Sequence, residues 1–181
     1  MPLLVNQLST GLGYAFNTKS HNAQQWAQLI GDTIWAYTSV ISPPSAGVAS
    51  GKATFVGTFV NQSYGLQSYL PRALTAGLPP YAIQIAAGMF QFGYSGVPPS
   101  APLPNFQGIM NSNRDSELTS AQCANKLAIA IHNWFATGIA INLATGVSTP
   151  WTAQVTAADV SGAGPPVPSF ELSSTTNIWK A

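Results

Sequence analysis

Apolar residues recur at three- and four-residue steps in two stretches of this chain. Ala23, Trp26, Ala27, Ile30, Ile34, Tyr37 and Ile41 form one face of an α-helix. Ser20 or Asn22 is placed to supply its N-cap oxygen, and Pro43-Pro44 ends it. Cys123, Leu127, Ile131, Trp134 and Phe135 form the apolar side of a second helix. Thr119 and Gln122 have capping-box spacing ahead of it, and Gly138 or Gly146 closes it. Ala27, Ile30, Ile34 and Tyr37 align in order with Ala124, Leu127, Ile131 and Trp134, so both helices are expected to face one common core.

The segments around these helices are less regular. Gly47 to Gly51 reads as a loop. Phe55, Phe59, Val60, Leu66 and Leu70 suggest a helix interrupted by Gly65 and stopped by Pro71, although Phe55-Val56 and Phe59-Val60 also suit a strand. Pro79-Pro80 then opens a short buried helix carrying Tyr81, Ile83, Ile85, Met89, Phe90 and Phe92, ending near Gly93. Residues 95–113 hold Pro98, Pro99, Pro102, Pro104 and Gly108 and read as a long irregular connection. Residues 1–16, with Gly11 and Gly13, read as an extended arm or a short strand. Trp151, Ala153 and Val155 alternate with Thr152, Gln154 and Thr156, a strand pattern broken by Gly162, Gly164, Pro165, Pro166 and Pro168. The expected architecture is mainly α with minor β. It has a three- to four-helix domain over 17–146, an N-terminal extended arm over 1–16 and a C-terminal extended arm over 147–181.

Charge changes the picture most. The 181 residues include six Lys and Arg, five Asp and Glu and two His, for a net charge of +1. Soluble domains usually devote about one quarter of their residues to charge. The polar remainder is Gln, Asn, Ser and Thr. A net charge this near zero steers neither DNA nor acidic lipid, and it favours association. Lys19, Lys52, Arg72, Arg114, Lys126 and Lys180 form no cluster, so no nucleic-acid specificity is expected.

The same scarcity empties the inventory for chemistry. His21 and His132 lie far apart, and no HExxH, CxxC or paired-carboxylate spacing is present, so neither metal nor cofactor is expected. The GVASGKAT stretch is one residue short of a phosphate loop, with Ala53 where the metal-binding hydroxyl belongs. Gly11-Leu-Gly13 lacks the third glycine of a dinucleotide fingerprint. Asp115 and Glu117 fit favourable charge near a helix N-terminus better than acid–base work. His132, among apolar neighbours, fits a satisfied structural histidine. Cys123 stands alone and reads as a buried, inert thiol. Asn61-Gln-Ser63 matches a glycosylation acceptor, but Met1 is followed by no basic and apolar leader, so no secretory route is expected. Leu127 to Val147 is uncharged and long, yet His132, Asn133, Thr137 and Asn142 and the missing basic flanks argue against a membrane span.

Five side chains stand out as candidate subunit contacts. Trp35 lies off the main stripe of its helix, beside Asp32 and Ser39. Trp151, Phe170, Leu172 and Trp179 lie on the C-terminal arm, where an aromatic end needs a partner surface to be buried.

The helix AQQWAQLIGDTIWAY, the segment AAGMFQFGYSGVPPSAPLP, and the helix KLAIAIHNWFATGIAINLATGV running into a Thr/Gly/Pro-rich tail resemble small structural proteins of tailed-bacteriophage virions. The resemblance implies a non-catalytic subunit of the capsid, neck, tail or baseplate, with neck, tail or baseplate foremost. It implies localisation in the virion, and copies of the chain and other virion proteins as partners. It carries over no functional residues. Two alternatives come from other classes. One is a host-surface glycan-binding module, for which Trp, Tyr, Asn and Gln are suitable. The other is a small hydrolase using an unrecognised Ser/His/Asp set.

Overall fold

The computed structural model describes residues 3–17, 23–39, 41, 48–60, 66–115 and 118–152. Among them the protein is mainly helical, with a minor three-stranded sheet. The elements in chain order are α1 (Val5–Asn17), α2 (Ala23–Thr38), α3 (Val48–Val60), α4 (Leu66–Gly88), a 3-10 turn (Met89–Phe92), β1 (Tyr94–Val97), α5 (Phe106–Asp115), α6 (Ser120–Phe135), β2 (Ile139–Asn142) and β3 (Ser148–Pro150). Each helix packs on the next, and α6 returns to α1, so the succession of contacts closes around one hydrophobic core.

The two helices legible from periodicity bury the expected face. Ala27, Ile30, Ile34, Tyr37 and Ile41 are inaccessible or nearly so, as are Ala124, Leu127, Ile131, Trp134 and Phe135. Thr119 closes the expected capping box: its hydroxyl accepts from the Gln122 N–H at 3.3 Å, and the Gln122 side chain accepts from the Thr119 N–H at 2.9 Å. Two otherwise orphaned donors are satisfied, which fixes where α6 begins. Between α2 and α6 lies α1, which packs on both.

Residues 5–17 are therefore a helix in the core, not part of an extended arm. Leu8, Leu12 and Ala15 recur at helical spacing and are fully buried. Gly11 and Gly13 each disfavour a helix by about 1 kcal/mol relative to Ala. Packing overrides this, because a Cβ on Gly11 would stand 2.5 Å from Thr33 Cγ2 of α2. Gly11 lets the two backbones approach.

Prolines mislead in the same way. Pro71 does not stop a helix and Pro79-Pro80 do not open one; all three lie inside the 23-residue α4. Pro79 and Pro80 supply no N–H to the carbonyls of Thr75 and Ala76. Both of those residues face solvent, so water can take the missing donors' place. The inner face of α4 presents Leu70, Ala73, Leu74, Leu78, Tyr81, Ala82 and Ile85 to the core. Tyr81 stacks on Phe55 of α3, with centroids 5.0 Å apart. Its hydroxyl meets Thr38 Oγ1 of α2 at 2.5 Å, and burial pushes its pKa upward.

The described residues form six α-helices rather than three or four. Val48 to Gly51 open α3 instead of forming a loop. Residues 95–113 are not irregular throughout. They contain most of β1 and most of α5, whose Phe106 and Met110 are one turn apart and buried. The Asn105 side chain accepts from the Gly108 N–H at 2.9 Å in the first turn of α5. Only the proline run between them is irregular, and Trp134 pins it by donating from Nε1 to the Ala101 carbonyl at 3.0 Å.

The sheet has the order β1-β2-β3, antiparallel throughout. Tyr94 pairs with Asn142 and Gly96 with Ala140 on the inward face, where β1 packs on α4. The β2–β3 turn is organised by Asn142, whose Oδ1 accepts from the N–H groups of Ala144 (2.9 Å) and Thr145 (3.0 Å). Gly146 takes the φ of 72° that this turn requires. β3 ends at Pro150, and Trp151 and Thr152, the first two residues of the strand expected over 151–156, form a turn; the rest of that strand lies outside the described residues. Residues 153–181, most of the expected C-terminal arm, lie outside the described residues, as do Ser20 and Asn22.

Candidate interaction surfaces

An α-helix of α4's length has an outer face as well as an inner one. In most soluble proteins charged residues mark the outer face. Here Ala76, Pro80, Ile83 and Ala87 occupy it, Phe90 follows in the 3-10 turn, and all five are exposed. Ile83 is 58% and Phe90 71% accessible. No Lys, Arg, Asp or Glu lies between Arg72 and Arg114. The face thus offers large apolar area with no charge to keep a neighbour away.

A second apolar surface is the outward side of the sheet. Val97 pairs with Ile139, and Ile139 with Pro150; all three side chains point away from the core and are exposed. Leu143 and Val147, in the turn between β2 and β3, extend this surface at 52% and 45% accessibility. An open depression of about 480 Å³ separates α5 from α6, lined by Asn105, Gly108, Ile109, Ser112, Lys126 and Ile129. It holds one charged group and no carboxylate.

The residues singled out for chemistry are placed as follows. His132 meets Tyr37, with Nδ1 and the phenolic oxygen 2.7 Å apart. Desolvation lowers the His132 pKa and raises that of Tyr37. Both groups are therefore neutral and share one hydrogen bond, whose direction follows the imidazole tautomer. This geometry ties α2 to α6 and satisfies both groups. Among the described residues no group of three His, Cys, Asp or Glu side chains gathers to hold a metal. No helix among them is long and apolar enough to cross a membrane. Val48 to Thr54 of the GVASGKAT stretch form the first turns of α3, and Gly11 and Gly13 lie inside α1. Cys123 is half-buried rather than buried, with Sγ 3.9 Å from the Leu118 carbonyl. Asp115 ends α5 rather than opening α6. Glu117, His21 and residues 61–63 lie outside the described residues.

Two candidate contacts turn out to be engaged within the chain. Trp151 is fully buried. Its ring stacks on Phe135 at 6.3 Å, and its backbone N–H donates to the Gly138 carbonyl at 3.0 Å. A Cβ on Gly138 would stand 2.5 Å from the indole, so the glycine makes room for the ring. Trp151 is a core residue, not a subunit contact. Trp35 is half-buried at the core's margin, with the Lys52 ammonium 4.5 Å from its ring centroid. Lys52 in turn pairs with Asp32 at 2.7 Å, and Gln28 donates to both Asp32 oxygens. Phe170, Leu172 and Trp179 lie outside the described residues.

Ile83 and Phe90, the most accessible apolar side chains of the α4 face and the 3-10 turn, were expected inside a short buried helix. A signal separates them. Tyr81, Ile85 and Met89 follow one another at four-residue steps, whereas Ile83 and Phe90 are seven apart on the other side. Prolines hide that register, because they break the window in which it would be read. The chain matches no family model, no curated protein and no solved structure.

Proposed function

We propose that this chain is a non-catalytic structural subunit of a tailed-bacteriophage virion, assembling with copies of itself and other virion proteins in the neck, tail or baseplate. The observation that carries the reading is the exposed apolar surface of α4 and the 3-10 turn from Ala76 to Phe90, a stretch of sequence with no charged residue. Such a face left in water favours association, and burying it against a neighbour gains roughly 25 cal/mol per Å². The outward face of the sheet supports the same reading. So does the Tyr37–His132 pair, which accounts for the one described histidine as a structural link between helices.

In this reading Phe170, Leu172 and Trp179 complete the contact surface from the C-terminal segment. Ordering such a segment costs about 1–2 kcal/mol per residue in backbone entropy, which calls for a sizeable intersubunit contact. The test is quantitative mass spectrometry of purified phage particles, combined with immunogold labelling. The chain is expected at a fixed copy number per particle and at one site on it. Its exclusion from particles, or an enzymatic turnover that His132→Ala abolishes, would overturn the reading.

A further inference from the structure

We draw no further inference here: the strongest candidate, the exposed apolar surface of α4 and the 3-10 turn from Ala76 to Phe90, already carries the assembly reading, and nothing in the structure shows what covers it.

Discussion

Helices α2 and α4 are both rich in apolar residues and carry one charged residue each, yet they sort the apolar residues differently. In α2 the apolar residues form one stripe, and the stripe is the core: Ala27, Ile30, Ile34 and Tyr37 are fully buried. Its other side carries Gln24, Gln25, Gln28 and Asp32. In α4 apolar residues occupy both sides, so Leu78, Tyr81 and Ile85 are buried while Ile83 lies open to solvent. In a chain with so little charge, apolar character alone does not say which side is inside. An apolar outer face on a helix whose inner face is already packed points to a neighbour.

The comparison predicts a large penalty on one side and almost none on the other. Ile34→Ala and Ile131→Ala should each destabilise the fold by about 2–5 kcal/mol, the range for large-to-small core changes, measured by denaturant unfolding. Equal stability of wild type and either variant would dissolve the distinction between the two faces. Thr38→Val should cost about 1–3 kcal/mol, because it leaves the buried Tyr81 hydroxyl without its partner. A double-mutant cycle with Tyr81→Phe separates this bond from lost packing, and a coupling near zero would contradict the link between α2 and α4.

Smaller effects sharpen the picture at the helix ends. Thr119→Ala should cost about 1 kcal/mol through loss of the α6 cap, and Thr119→Ser should restore most of it. His132 contributes a pH dependence. Burial lowers its pKa below the ordinary value of 6.5. The unfolded chain therefore binds the proton first, so stability is full above about pH 6.5 and falls on acidification toward the lowered folded value. His132→Gln should flatten that part of the profile. An unchanged profile would place His132 outside the link to Tyr37.

How much was legible in the sequence follows from the same contrast. Helices α2 and α6 were readable because each has one apolar stripe, and α6 also has an unambiguous cap in Thr119 and Gln122. Helix α1 was hidden by Gly11 and Gly13; the packing role of Gly11 depends on Thr33, a residue remote in sequence. Helix α4 was split by Pro71, Pro79 and Pro80, because sequence spacing does not reveal that Thr75 and Ala76 face water. Helix α5 was lost among prolines that in fact only precede it. The sheet escaped notice because its strands are three or four residues long and pair across α5 and α6. Of the candidate contacts, Trp151 was misplaced because its burial depends on Gly138, thirteen positions earlier, and on Phe135. The α4 face could be seen only once the helix was known to be continuous.

The central claim is that the outer face of α4, with the 3-10 turn after it, is apolar for contact and not for folding. Sedimentation velocity over a wide concentration range, run beside thermal unfolding on wild type and on Ile83→Ser/Phe90→Ser, tests it most directly. Exposed substitutions away from special features usually change stability by no more than about 0.5 kcal/mol each. The account predicts a double variant that unfolds close to the wild-type temperature at low concentration, but whose concentration-dependent association is lost. A variant that associates as the wild type does, or whose monomer loses stability as the Ile34→Ala core variant does, would contradict it.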